Sequence, residues 1–263
     1  MTRKYTFTSE SVTEGHPDKM ADQISDSVLD AILAEDPHGR VACETLLTTG
    51  LCVVAGEITT SAYVDIPKLA RNTIKEIGYD NAAYGFDGNT CGVIISIDEQ
   101  SSDIAMGVDK SEELRGGKSG EDKLNSQGAG DQGMMFGYAC TESEVYEKGS
   151  FMPAPIFFAH KILRTLSEQR RSGKLADLQP DAKSQVTVQY VNGKAVGCTK
   201  VVVSTQHNAE NRNKKKYSPG MIKDLISTAV ESSLPKGWMP KKPSDFLVNP
   251  TGNFVVGGPD GDC

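Results

Sequence analysis

The sequence predicts an α+β fold in which one unit, a sheet covered on one face by helices, occurs twice. The order helix, hairpin, helix, strand runs through residues 18–97 and returns in residues 155–256. The turn pairs Thr49-Gly50 and Asn192-Gly193 each divide an apolar stretch into a hairpin. Because tight hairpins make neighbouring strands antiparallel, we expect antiparallel or mixed sheets in two pseudo-symmetric domains, and we disfavour helices alternating with parallel strands.

The first unit begins with an amphipathic helix over about residues 18–36. Its apolar face is formed by Ile24, Val28, Leu29, Ile32 and Leu33. Strands Val41–Thr48 and Leu51–Thr60 form the hairpin, and a second helix over about residues 65–77 follows. A strand over Cys91–Ile97 completes the unit.

The second unit repeats this order. Its expected elements are a short strand Met134–Ala139, a helix over about 155–171, strands Gln185–Tyr190 and Ala195–Thr205, a helix over about 219–234, and strands Phe246–Val248 and Phe254–Val256. Ser218-Pro219 predicts the start of the last helix, since serine caps a helix and proline suits its first turn.

Composition narrows the class of protein. A formal net charge of −7 and a pI near 5.2 argue against a broad nucleic-acid footprint. The six cysteines form no C-x-x-C pair, and most lie in apolar strand-like runs, a pattern typical of a reducing compartment. With neither a signal-like start nor a run long enough to cross a membrane, we expect a cytoplasmic protein without membrane or nucleic-acid partners.

The segment Ser9–Lys19 is rich in ionisable side chains, and His16, Asp18 and Lys19 surround Pro17 at the start of the first helix. Helix N-termini present backbone donors and a positive dipole end, which suits phosphate. A carboxylate there suits a hard cation such as Mg²⁺. The alternative is a capped helix start with solvated charges.

Two carboxylates, Glu44 and Glu57, interrupt the apolar strands of the first hairpin. Burying a carboxylate costs free energy unless it meets a cation or donors. If both point to one sheet face they form a cation or ammonium site; a solvent-facing position is the equally supported alternative.

Two further segments are less specific. Gly128–Gly133 matches G-x-G-x-x-G by letter, but no strand precedes it and no helix pattern follows, so we reject a dinucleotide fingerprint. Close approach of the backbone to a small ligand, with Asp131 available for an amine, is the better interpretation. Lys183, in Asp181–Ser184 before a predicted strand, is either a phosphate contact or an exposed loop lysine.

Five segments together resemble one family. They are Ser9–Lys19, Gly56–Ser61, Gly128–Gly133 with Met135–Tyr138, Pro180–Val186 and Asn249–Cys263. In this order, and over essentially the whole chain, they look like methionine adenosyltransferase, also called S-adenosylmethionine synthetase. The strings Gly-His-Pro-Asp-Lys and Gly-Ala-Gly-Asp-Gln-Gly are highly specific in combination.

The resemblance implies three similar α+β domains, of which this chain holds two. We expect an N-terminal domain over residues 4–102, a mobile lid or linker over 103–127, a central domain over 128–256, and the start of a third domain over 257–263. The implied reaction joins ATP and L-methionine into S-adenosylmethionine: sulfur attacks C5′, and the displaced triphosphate is hydrolysed to phosphate and diphosphate.

The resemblance also implies roles for individual residues. ATP contacts fall to His16, Asp181, Ala182, Lys183, Asn253, Phe254 and Asp262. Methionine contacts fall to Glu57, Gln100, Asp131 and Asp262, and ion contacts to Asp18 for Mg²⁺ and Glu44 for K⁺. His16, at the leaving oxygen, and Lys183, at the phosphates, are the catalytic candidates.

Departures from the family pattern lead to a second hypothesis. The lid stretch Lys110–Gln127 is longer and more charged than usual, Asn253 stands where arginine is common, and the basic triphosphate-binding segments expected after Cys263 are absent. The resemblance implies a homodimer or dimer of dimers with the active site between subunits. The alternative is therefore a fragment without activity of its own that only dimerises or binds nucleotide weakly.

Overall fold

The structure is a computed structural model that describes residues 2–101, 103, 105–106 and 134–262. A three-stranded sheet forms from β2 (Arg40–Thr48), β3 (Leu51–Thr59) and β4 (Gly92–Asp98), in the order β2-β3-β4. The β2–β3 hairpin is antiparallel and β3 pairs with β4 in parallel. Helices α1 (Pro17–Glu35) and α2 (Ile66–Ile77) cover one face. The predicted order of the first unit is thus confirmed, and the sheet is mixed.

Apolar side chains at helical and strand spacing meet between these layers. The buried cluster consists of Met20, Ile24, Leu47, Cys52, Val54, Ala70, Ile74, Ile77, Tyr79, Phe86 and Cys91. The opposite face of the sheet stays exposed, because no described helix covers it. There Leu46 pairs with Val53 and Val53 with Ile94, and Leu46 and Ile94 are 58% and 52% exposed.

The second sheet has four strands in the order β1-β5-β6-β7. Its strands are β1 (Lys4–Val12), β5 (Leu178–Val191), β6 (Lys194–His207) and β7 (Phe246–Val248), and its covering helices are α3 (Ala154–Arg171) and α4 (Pro219–Ser233). The core between sheet and helices includes Phe157, Phe158, Val186, Val203 and Ile226, each at most 2% exposed. Among the described helices, none is long and apolar enough to cross a membrane.

Strand β1, which the sequence analysis missed, pairs antiparallel with β5 from Lys4↔Val191 to Val12↔Lys183. It lies at the start of the first predicted domain in sequence but belongs to the second sheet. Its residues are mostly polar and exposed, as expected for an edge strand, so it lacks the apolar alternation that marks a strand. This pairing carries the segment after β1 across to the second unit, where the Thr13 N–H donates to the Ala182 carbonyl at 2.9 Å.

Two predicted strands do not form, and the predicted start of a third strand was wrong. Residues 134–139 form no strand, and most of their side chains are exposed. Residues 254–256 also form no strand, although the Phe254 carbonyl accepts a backbone hydrogen bond from His207 at the end of β6. Strand β5 begins at Leu178, so Asp181–Lys183 lie inside a strand.

Candidate functional site

The start of α1 places one histidine in a buried position. His16 is the N-cap, and its Nδ1 accepts the Asp18 N–H at 3.3 Å. A neutral ring with Nδ1 as acceptor carries its proton on Nε2. That Nε2 is buried and makes no hydrogen bond among the described residues, although Asp262 Oδ2 lies 3.3 Å away outside hydrogen-bond geometry. A buried polar atom without a partner is rare, and it indicates a ligand position.

Glycine at position 15 allows the second unit to approach this turn. A Cβ at Gly15 would lie 2.4 Å from Pro180 Cβ and 2.5 Å from the Pro180 carbonyl oxygen. The Thr13 hydroxyl donates to that carbonyl at 2.7 Å, which holds the two segments together. Lys19 Nζ donates to the Val12 carbonyl at 2.8 Å, so this lysine braces the turn.

Glu14 anchors the same turn to α3. Its carboxylate accepts hydrogen bonds from Ser167 Oγ at 2.8 Å, Arg170 Nη2 at 3.0 Å and Arg171 Nε at 3.3 Å. Burial by itself would raise the pKa of Glu14, but the hydrogen bonds from Ser167 and Arg170 and the charge of Arg170 bring its pKa below the usual 4.5. Arg170 also donates to the Ile77 carbonyl at the end of α2.

The tail after residue 253 is held to β5 and β6. Phe254 exchanges two hydrogen bonds with His207: the His207 N–H donates to the Phe254 carbonyl at 2.9 Å, and the Phe254 N–H donates to His207 Nε2 at 3.2 Å. The Gly258 N–H donates to Asp181 Oδ2 at 2.8 Å, and the Asp262 N–H donates to the Gly258 carbonyl at 3.1 Å. These contacts bring Asp181 and Asp262 to His16.

The electrostatics of this site are dominated by carboxylates. Asp181 is 3% exposed, and burial raises the pKa of its carboxyl, with the Gly258 N–H and His16 opposing and nearby Asp262 adding to the rise. Asp18 and Asp262 are open to solvent, at 89% and 68% side-chain exposure. The neighbouring cation in β5 is exposed Lys183. A polyphosphate here would therefore need additional positive charge.

The oxygen-rich donor set fits Mg²⁺. Mg²⁺ is typically bound by one or two carboxylates together with substrate phosphates, and Asp18 has a free carboxylate beside the helix start. No group of three His, Cys, Asp or Glu side chains within the described part of the chain is arranged to hold a metal ion. The donors fit an ion that arrives with its nucleotide better than an ion held by protein alone.

The other predicted ATP residues lie in β5 beside Asp181 and at the start of the tail. Ala182 is buried, and its carbonyl accepts from Thr13, so it contributes backbone rather than a free side chain. Phe254 is half-buried, with its ring close to Gly257, and Asn253 is exposed.

The predicted methionine and K⁺ residues lie on the three-stranded sheet. Glu44 pairs with Ala55 and Glu57 with Ala42, so both carboxylates share the exposed face of this sheet. Gln100 follows β4, and its Oε1 accepts from Arg40 Nε at 2.8 Å. Asp131 and the stretch Lys110–Gln127 lie outside the described residues.

A cleft of about 660 Å³ lies elsewhere, between the end of β1 and α3. None of the predicted site residues lines it. Its charged groups largely satisfy one another: Arg164 pairs with Glu147, Arg171 pairs with Glu14, and Ser11 Oγ lies 2.6 Å from His160 Nδ1. The unpartnered His16 Nε2 makes the α1 start the better candidate site.

Sequence reasoning missed Tyr79 and Gln206, both fully buried beside His16. The hydroxyl of Tyr79 donates to the Gly15 carbonyl at 3.0 Å. A signal for Gln206 was available: Gln206-His207 ends an apolar strand with two polar residues that need partners. Tyr79 had no comparable signal, because its hydroxyl partners lie 64 and 127 positions away in the sequence.

Two family models match this chain: the S-adenosylmethionine synthetase N-terminal domain over residues 4–102, and the central domain of the same family over residues 126–254. The chain belongs to the S-adenosylmethionine synthetase family. The family resemblance and the α+β fold with two repeats are thereby confirmed.

A curated relative agrees with this assignment. The S-adenosylmethionine synthase of Clostridium tetani (strain Massachusetts / E88) is 55% identical over 257 residues. The match covers 98% of this chain and 62% of the relative, so this chain spans about three fifths of that protein.

Proposed function

We propose that this chain is part of a methionine adenosyltransferase, which forms S-adenosylmethionine from ATP and L-methionine and releases phosphate and diphosphate. The observation that carries the proposal is the buried, unpartnered Nε2 of His16 at the start of α1, with three carboxylates around it. The name of the 55% identical relative supports the same activity.

The proposed chemistry needs orientation and charge stabilisation rather than a covalent intermediate. When the methionine sulfur attacks C5′, the bond from C5′ to oxygen breaks and the triphosphate oxygen gains negative charge. In this proposal the Nε2 proton of His16, which is buried and has no hydrogen-bond partner among the described residues, donates a hydrogen bond to that oxygen, because a preorganised donor stabilises developing charge. Lys183 and the N-terminus of α1 hold the phosphates.

Bound metal ions would supply the positive charge that the described site lacks. In this proposal Asp18 holds Mg²⁺ on the phosphates, with Asp262 beside the same nucleotide, and Glu44 holds K⁺. Asp181, anchored by the Gly258 N–H, shapes the ATP site with Ala182, Asn253 and Phe254.

Methionine would bind between Asp262 and the three-stranded sheet. A carboxylate pairs with an ammonium group, which suits Glu57, and Gln100 lies at the end of the neighbouring strand β4. The proposal also assigns a methionine contact to Asp131, which is not among the described residues.

We further propose that the exposed face of the three-stranded sheet joins two copies of the protein in a homodimer or dimer of dimers. Leu46, Val53 and Ile94 form an apolar row on this face beside Glu44 and Glu57, and this row supports the proposal. In this proposal Glu44 and Glu57 lie at the interface. Leu46→Lys is expected to shift the sedimentation mass from dimer to monomer. Leu33→Lys, on exposed α1 surface, is the control; a parent chain that sediments as a monomer would exclude this interface.

The second candidate is the fragment that binds nucleotide weakly without turnover. The excess of carboxylates over cations around His16 favours this second candidate when the 263-residue chain is taken by itself. Adding methionine, Mg²⁺ and K⁺ to the binding assay below separates the two candidates, since robust S-adenosylmethionine formation would contradict the second.

Asp18→Asn tests the proposed site by binding rather than turnover. Because Asp18 is exposed, we expect unfolding to change by less than about 1 kcal/mol, while ATP affinity measured with Mg²⁺ falls about tenfold. Calorimetric titration with and without Mg²⁺ measures this, and the loss should disappear without the ion. Asp22→Asn, exposed one turn further along α1, is the matched control. Equal affinities for the two variants, or no ATP binding by the parent, would count against the proposal.

A further inference from the structure

A buried tyrosine stands between the two segments that supply His16 and Asp262. Tyr79 follows α2 and is 0% exposed, with its ring packed edge-on against Phe86 at 6.1 Å between centroids. Its hydroxyl donates to the Gly15 carbonyl at 3.0 Å, directly before His16. Gln206 Oε1 lies 3.4 Å from the same hydroxyl. One hydroxyl thus contacts the turn that begins α1 and the end of β6.

Gln206 extends this contact to the tail. Its Nε2 donates to the Tyr84 carbonyl at 3.3 Å and to the Val255 carbonyl at 3.0 Å. Since both N–H groups of the amide are used on carbonyl oxygens, Oε1 faces Tyr79, whose single hydroxyl proton lies within reach of both Gln206 Oε1 and the Gly15 carbonyl. Gln206 therefore ties Tyr79 to Val255, which precedes the Gly258 turn.

The tail also packs directly on the hydroxyl of Tyr79. Gly258 has φ +60°, and a Cβ there would lie 2.2 Å from Tyr79 Oη. Its N–H donates to Asp181 and its carbonyl accepts from the Asp262 N–H. The separation between the His16 turn and the Asp262 turn is thus set across one hydroxyl group.

We propose that Tyr79 is a positioning residue: its hydroxyl, with Gln206, holds the Gly15–His16 turn and the Gly258–Asp262 turn at the spacing that nucleotide binding requires. That the ligand is a nucleotide rests on the proposed function. A purely structural role for Tyr79 would reside in its ring, which packs against Phe86, and would survive loss of the hydroxyl.

Tyr79→Phe removes only the hydroxyl, and Tyr217→Phe is its matched control. Tyr217 is also buried, and its hydroxyl donates to Asp177 Oδ2 at 2.6 Å. In the 263-residue chain we expect Tyr79→Phe to shift the ring resonances of His16 and to speed hydrogen exchange of the Gly258 amide about tenfold. Tyr217→Phe should do neither. Unchanged His16 resonances and Gly258 exchange in folded Tyr79→Phe would overturn the proposal.

ATP titration separates this proposal from the proposed function. If the parent binds ATP, Tyr79→Phe should bind about tenfold more weakly, whereas Tyr217→Phe should match the parent; equal affinities for both variants would overturn the positioning role. If the parent binds no ATP, the proposed function fails, and the resonance and exchange data still decide whether Tyr79 positions the two turns. Gln206→Met, which keeps the tyrosine, is the second variant if Tyr79→Phe does not fold, and faster Gly258 exchange is expected there too.

Discussion

Replacing Arg170 by methionine is expected to lower the free energy of unfolding by about 3 kcal/mol, at the lower end for breaking a largely buried ion pair, because Glu14 keeps Ser167 and the more exposed Arg171 as partners. Arg170 and Glu14 are 14% and 21% exposed at the side chain and meet at 3.0 Å. The change also leaves the Ile77 carbonyl without the Arg170 donor. Thermal unfolding should shift by roughly 6–12 °C for a chain of this size.

Arg164→Met, from the same helix, is the matched control. Arg164 and Glu147 meet at 2.9 Å but are 55% and 46% exposed. Exposed pairs contribute at most about 1 kcal/mol because water and salt screen them. If the two variants lost similar amounts of unfolding free energy, burial of the Arg170–Glu14 pair would contribute nothing to stability.

The effect of Arg170→Met should also depend on pH. The pKa of Glu14 is lower in the folded chain than its ordinary 4.5, so the stability that Glu14 contributes is present above that value and is lost as the pH falls through the folded pKa. The difference in unfolding free energy between parent and variant should therefore be largest near neutral pH and should narrow in acid.

Gly15→Ala is expected to destabilise the chain by roughly 3 kcal/mol, at the upper end for overpacking, because the neighbour cannot move aside. The added methyl would lie 2.4 Å from the Pro180 ring and 2.5 Å from the Pro180 carbonyl oxygen. The proline ring has no alternative rotamer, and its carbonyl is held by Thr13. The turn must shift, so we expect His16 to leave its buried position and the proposed ATP binding to be lost.

Gly220→Ala gives the contrast in the first turn of α4. A Cβ there would meet only Ser218 Oγ, at 3.9 Å, and the backbone is not left-handed. Glycine-to-alanine changes at compatible positions stabilise by about 0.4–1 kcal/mol. Urea unfolding of both variants measures the difference, and equal effects would refute the close approach at Gly15.

The hairpins, the helices and the α1 start were predictable because each follows from local rules. The Asn192-Gly193 turn, the face of α1 from Ile24 to Ile32, and the Pro17 position in the first turn all depend on residues within a few positions of one another, whereas Leu33 of the predicted face is exposed. Strand β1 could not be predicted in this way because an edge strand with mostly exposed polar residues carries no apolar alternation.

The sequence by itself determined the family, the repeated α+β units, and the position of His16 and Asp18 at a helix N-terminus. Only the tertiary structure decided what surrounds them: β1 pairing with β5, the Gly15 contact with Pro180, the tail that brings Asp262 to 3.3 Å from His16, and Tyr79 between the two turns. The physical reason is range. Caps, turns and amphipathic faces are set by neighbours in the chain, whereas these contacts join residues more than 60 positions apart and exist only once both cores have packed.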